Sequence, residues 1–199
     1  MANFRAIGAV SEAIRQLMFQ NYRFDDFNHE LEFKVYIAKD FSQPMNAGVS
    51  VFLYRIYSNG LQRVQTVTPG ASSQQQRNQM PVDLHFLLTA WAQDASLQHT
   101  IAGWMMRTVE DTPTLPISLL NQLHRGLFRQ NETITLMPAE LTTEELFRMW
   151  EVVVNNAYQI SVPYVVRGVR IESNFALATG GVKVQERVFD LEPDAASSS

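Results

Sequence analysis

No cysteine occurs anywhere in the chain. That excludes disulfides, thiolate metal sites and a cysteine nucleophile. No block of five or six like charges is present, and the formal net charge is −4, so nothing marks a nucleic-acid-binding tract. No run approaches the roughly 18 apolar residues that a membrane-spanning helix needs. The first stretch, MANFRAIGAVSEAIRQLMFQ, breaks its apolar pattern with Arg5, Glu12 and Arg15 and lacks the continuous apolar core of a signal peptide. The expectation is a protein made in the cytoplasm and not exported by a signal peptide of its own.

Signatures of chemistry are missing too. There is no G-x-S-x-G, no G-x-x-x-x-G-K-[ST] and no G-x-G-x-x-G, and Gly180-Gly181 is too short to cradle a phosphate. The four histidines, His29, His85, His99 and His124, make no H-E-x-x-H or similar ligand spacing. Asp83 and His85 sit two apart and share one strand face, which could resemble a general-base pair. A buried strand more often keeps such a pair for a structural hydrogen bond. Trp91, Trp104 and Trp150 fall on apolar faces and read as core. No cofactor, metal or catalytic residue is expected.

What is present is enough apolar material for one domain: 46% of the 199 residues are hydrophobic and 18% charged. The organising stretch is PVDLHFLLTAWAQDASLQHTIAGWMMRTVEDTPTLP, residues 81–116. Val82, Leu84, Phe86, Leu88 and Ala90 alternate onto one face of a strand, while Leu87 and Trp91 make the other face apolar. A strand apolar on both faces has cover on both sides. Asp94 then caps a helix whose Leu97, Ile101, Trp104, Met105 and Thr108 recur at helical spacing, ending before Pro113.

Around that unit, Ile7, Val10, Ile14, Leu17 and Met18 predict an amphipathic helix over residues 3–20, packed on a sheet or binding a partner. Leu31, Phe33, Val35 and Ile37 alternate with Glu32, Lys34 and Tyr36, the pattern of a half-buried strand. Val49–Tyr57 is a second strand, and Asn59-Gly60 predicts a type I′ hairpin into a polar edge strand, Leu61–Thr66. Thr68–Gln79 reads as an exposed, mobile loop. Ile117–His124, with Leu119, Leu120 and Leu123, is expected to be a short helix and Glu132–Met137 a strand. Thr142 and Glu145 form a capping box, opening a helix with Leu146, Met149, Trp150 and Val153 on one stripe. Tyr158–Glu172 is β-rich, with Ile160, Val162, Tyr164 and Val166 on one face and Pro163 arguing for an edge or bulge.

These elements predict an α+β (mixed α/β) fold: a central, mostly antiparallel β-sheet covered by helices, with a C-terminal β-arm. The expected organisation is a domain over residues 1–173, a linker over 174–181, the arm over 182–192 and a disordered tail over 193–199. In the arm, Val182, Val184 and Val188 interleave with Lys183, Gln185 and Arg187, so it can fold back or pair with another chain's sheet edge.

Two long stretches carry a resemblance. VDLHFLLTAWA followed by ASLQHTIAGWMMRTVEDTPTLP, and LTTEELFRMWEVV running into YQISVPYVVRGVRIES, stand in the order that resembles the cap, or tail-terminator, proteins of extracellular contractile injection systems of the antifeeding-prophage and virulence-cassette type. The resemblance spans about residues 4–173 and includes no catalytic motif. It implies a non-enzymatic structural part of a phage-tail-like particle, a sixfold ring on the end of the inner tube and sheath that ends their polymerisation and holds the sheath end. The partners implied are other copies of the chain, the inner tube protein and the sheath protein, with no nucleic acid and no membrane. The setting implied is assembly in the bacterial cytoplasm into a particle that can be released. Some members of that family are longer at the C-terminus, and roles of such extensions are not carried over. Because a closed ring needs two different surfaces on each subunit, candidate subunit or sheath contacts are the edge residues Leu61 and Arg63 and the arm residues Val182, Val184, Val188 and Phe189. Two alternatives are a terminator or neck protein of a true phage tail, and a small enzyme using Asp83 and His85.

Overall fold

The computed structural model describes residues 2–59, 79–153 and 158–173. In chain order the elements are α1 (Ala6–Asn21), α2 (Phe24–Phe27), β1 (Glu32–Tyr36), a 3-10 helix (Ala38–Ser42), β2 (Gly48–Ser58), β3 (Gln79–Trp91), α3 (Ala95–Asp111), α4 (Ile117–Leu120), β4 (Thr135–Pro138), α5 (Thr143–Val153) and β5 (Ser161–Glu172). The strands form one five-stranded sheet in the order β1-β2-β3-β5-β4. β2–β3, β3–β5 and β5–β4 are antiparallel, and β1 lies parallel to β2. The predicted mixed α+β architecture with a mostly antiparallel sheet is the one observed.

β3 is the central strand, and both of its faces are buried as its composition requires. Leu84, Phe86, Leu88 and Ala90 are fully buried on one face, under α1 and α3, where Ile14, Met18, Ile101 and Met105 meet them. Burying each such large side chain contributes roughly 1.5–3 kcal/mol, so this face dominates the stability of the domain. On the other face Leu87 and Trp91 join Tyr36, Phe41, Met45 and Trp150 in a second, smaller cluster closed by the 3-10 helix and α5. Its rings meet edge to face, Phe41 lying 5.5 Å and Trp91 6.1 Å from Trp150. Trp104 packs against Phe27 and Phe33. All three tryptophans are thus packing residues.

The helix signals act as predicted. The Leu97 N–H donates to the Asp94 carboxylate (2.9 Å) and starts α3. Thr142 N–H and hydroxyl both donate to Glu145, whose own N–H donates back to the Thr142 hydroxyl at 3.2 Å. Leu146, Met149 and Val153 then pack beside Trp150.

Four details differ from expectation. Val35 and Ile37 are exposed, whereas Tyr36, assigned to the polar face, is buried in the second cluster. The strand alternates, but its apolar face runs past the end of the first core after Phe33. The helix after Pro116 is one turn long, and Leu123 lies outside it and is exposed. Gln79 belongs to β3 rather than to the preceding loop. Pro163 lies in an interior strand, yet its O accepts from the Ala139 N–H just past the end of β4, so its missing N–H faces the side where no ladder continues.

Candidate assembly surfaces

β-Sheet proteins assemble most directly through their edges, so the two edges are the first place to look. The outer side of β4 is occupied by its own chain. Leu115 N–H donates to the Ile134 O (2.9 Å) and Leu136 N–H to the Pro113 O (2.7 Å), with Thr114 bridged to Thr135.

The outer side of β1 is different. The Glu32 N–H donates to the Ala47 O, which makes Glu32, Lys34 and Tyr36 the residues whose backbone groups bond β2. Phe33 and Val35 alternate with them and turn their N–H and C=O groups away from the sheet. Among the described residues no strand lies beyond β1. A groove of about 780 Å³ follows this edge, walled by Glu12 of α1 on one side and by Lys39 and Asp40 of the 3-10 helix on the other, with Lys34, Val35 and Tyr36 along it. The end of the edge is closed at Ile37, whose N–H donates to the Asp40 carboxylate (2.8 Å) while its O accepts from the Asp40 N–H.

Asp83 and His85 lie on one face of β3, as their spacing predicts. The two make no hydrogen bond to each other; Asp83 faces Arg167 and His85 faces Tyr54 instead. A bulge in β5 sets Arg167 and Gly168 against the single residue Asp83, and the Arg167 guanidinium lies 3.9 Å from its carboxylate. Gly168 has φ +90°, and a side chain there would overlap the Thr133 carbonyl. A second bulge, in β2 at Tyr54, sets Arg55 opposite His85. The His85 ring meets Tyr54 edge to face at 5.9 Å. Burial chiefly, with Arg55 beside it, pushes the imidazole below its ordinary 6.5, and Asp83 only partly opposes this. His85 is therefore held neutral against the sheet.

The point where the chain leaves the sheet is clamped. Glu172, buried at 5% exposure, accepts from Arg129 (2.7 Å) and from the Gln79 side-chain amide (2.9 Å), and its N–H donates to the Ala2 O. One residue thus ties the end of β5 to the start of β3, to the segment before β4 and to the N-terminus.

Six candidate contact residues, Leu61, Arg63, Val182, Val184, Val188 and Phe189, lie outside the described residues. So do the turn glycine Gly60, the loop segment 68–78, the 174–181 linker and the tail. The open β1 edge was not singled out from sequence; the exposed pair Val35 and Ile37, beside Lys34 in a strand of only five residues, is the signal that could have found it. Among the described residues no cluster of three His, Asp or Glu side chains could hold a metal ion, and no helix is long and apolar enough to cross a membrane.

Two solved structures share this fold, and both are terminators of injection tubes. One is the PVC sheath/tube terminator of an extracellular contractile injection system in its extended state, with TM-score 0.62 and 16% identity, covering 96% of this chain and 65% of that one. The other is the anti-feeding prophage cap, a tube terminating cap, with TM-score 0.56 and 15% identity, covering 95% of this chain and 60% of that one. The chain spans less than two thirds of the length of either. The family described as the Pvc16 N-terminal domain matches residues 9–184. The chain belongs to that family. A search of curated protein sequences finds no match.

Proposed function

We propose that this chain is a structural cap, the tail terminator of a contractile phage-tail-like injection particle. It forms a ring on the end of the inner tube and sheath, stops their polymerisation and anchors the sheath end. The observation that carries the reading is family membership over residues 9–184, joined to a fold shared with two terminators over nearly the whole chain.

The ring is built from copies of this chain, six by the resemblance, meeting head to tail. Closure of such a ring requires two unlike surfaces on each subunit. The domain over 1–173 supplies the body, and Leu61, Arg63, Val182, Val184, Val188 and Phe189 are the proposed contacts with neighbouring subunits or sheath. The protein acts in the bacterial cytoplasm, where the particle is assembled, and leaves the cell with the particle.

The role is non-enzymatic. Asp83 stands against Arg167, and His85 is neutral and packed against Tyr54, an arrangement suited to holding a sheet face rather than to moving a proton. A neck protein of a true phage tail would share the ring geometry, but the family match favours the injection particle.

The test is removal of the gene from a cell that makes the particle, followed by electron microscopy. Tubes and sheaths of uncontrolled length, restored to uniform length by the intact gene, are expected. Particles of unaltered length and unaltered ends would contradict the reading.

A further inference from the structure

We infer that the open edge of β1 is the acceptor half of the subunit contact, and that its occupant is the segment 182–189 of a neighbouring copy, added as a sixth strand. The inference rests on the reading above that copies of the chain assemble head to tail.

Four observations point to this pairing. Of the two outermost strands, β1 is the one whose outer side is left open among the described residues, since the 113–115 segment covers β4. Phe33 and Val35 aim donor and acceptor groups outward, and strand addition satisfies such groups directly. The groove along the edge, about 780 Å³ between α1 and the 3-10 helix, gives an added strand walls on both faces. Finally, the two faces of the edge differ and the segment differs in the same way. Val35 is apolar on the α1 side, and Lys34, paired with Glu32, is charged on the other. In VKVQERVF, Val182 and Val184 fall on one face, and Lys183, Gln185 and Arg187 on the other. An added strand therefore sets its valines beside Val35 and its polar residues beside Lys34 and Glu32.

The neighbour, rather than the same chain, is selected by reach. The registers place Tyr36 level with Phe52, Leu87 and Pro163. Glu172, where β5 ends, is therefore about 27 Å further along the sheet, and a strand beyond β1 is four spacings across from β5, about 19 Å. The straight-line span is about 33 Å. Ten residues separate positions 172 and 182, and fully extended they cover about 33–36 Å. That suffices only for a straight path through the sheet itself, and any path around it is longer. Val182 reaches its own β1 edge only with the linker fully extended along that straight line, whereas a subunit beside it in a ring presents its edge without that constraint.

The absence of cysteine makes a clean test available. Val35→Cys and Val184→Cys, which the pairing sets on the same face, are placed together in the full chain, which is co-expressed with the tube and sheath subunits and oxidised mildly. Denaturing electrophoresis of the assembled particles is expected to show a ladder of disulfide-linked copies that collapses on reduction, with neither single variant giving it. Capped particles without the ladder would overturn the edge pairing while leaving the cap reading intact. A disulfide closed within one chain would overturn it as well. Particles that carry no copy of the protein at all would remove the cap reading and the pairing with it. A second variant needs no cross-link. In Val35→Pro the outward-facing N–H is lost while the bonds to β2 stay, so the melting transition should be preserved and recovery of the protein on particle ends should fall at least tenfold. Unchanged recovery would overturn the inference.

Discussion

At the scale of single residues, Gly168 is a tightly constrained position. Its φ of +90° and its approach to the Thr133 carbonyl leave no room for a β-carbon, and the bulge that aims Arg167 at Asp83 depends on it. Gly168→Ala is expected to destabilise the fold by roughly 1–3 kcal/mol from backbone strain alone, with more from the overlap. Urea denaturation of the purified variant checks this, and an unshifted midpoint would refute it. His85 gives a pH-dependent counterpart. Its folded value is lowered chiefly by burial, so the folded state binds fewer protons than the unfolded chain as pH falls below 6.5. Stability is fully present above 6.5 and is lost as pH drops through the lowered folded value. His85→Gln should flatten that loss in a series of melts between neutral and mildly acidic pH. An identical slope in the variant would show that other groups carry it.

At the scale of elements, two capping devices set the helices that cover the sheet. Asp94→Ala removes the bond that starts α3 and should cost about 1 kcal/mol. For α5, the Glu145 carboxylate is held below its ordinary value by hydrogen bonds from Thr142, first the backbone N–H and then the hydroxyl. Its contribution is therefore present above the ordinary carboxylate value of 4.5 and lost as pH falls below it. Thr142→Ala should weaken α5 near neutral pH and reduce its acid sensitivity, which hydrogen exchange of the α5 amides would report. Exchange rates equal to those of the parent at every pH would contradict the assignment.

Both caps were legible in the sequence because they are local: Asp94 before Leu97, Thr142 before Glu145. β3 was legible for a related reason, since a strand apolar on both faces can only be central. What local pattern could not reveal was direction and partner. Nothing in the Glu32–Tyr36 stretch states that it runs parallel to β2, because that depends on the path of residues 37–47 and the 3-10 helix they contain. Tyr36 was assigned to the wrong side because the second core cluster is assembled from Phe41, Leu87, Trp91 and Trp150, residues far apart in the chain. The open edge escaped for a related reason: an edge is defined by what does not pair with it, and its local mark, Lys34 beside Val35 and Ile37 in a short strand, is equally the pattern of an ordinary half-buried strand.

At the scale of the whole molecule, the fold places its covered face, its covered edge and its open edge at separate positions, the asymmetry that a closed head-to-tail ring requires. Glu172, buried between Arg129 and Gln79, fixes where the C-terminal segment leaves the sheet, so the departure point is as rigid as the domain itself. The central claim is that this domain stops a growing tube. The most direct measurement is electron microscopy of tube subunits polymerised with the purified protein carrying a gold label. The account predicts label at one end of each tube and a mean length that falls as the protein is added. Tubes of unchanged length, with label absent from their ends or scattered along their sides, would contradict it.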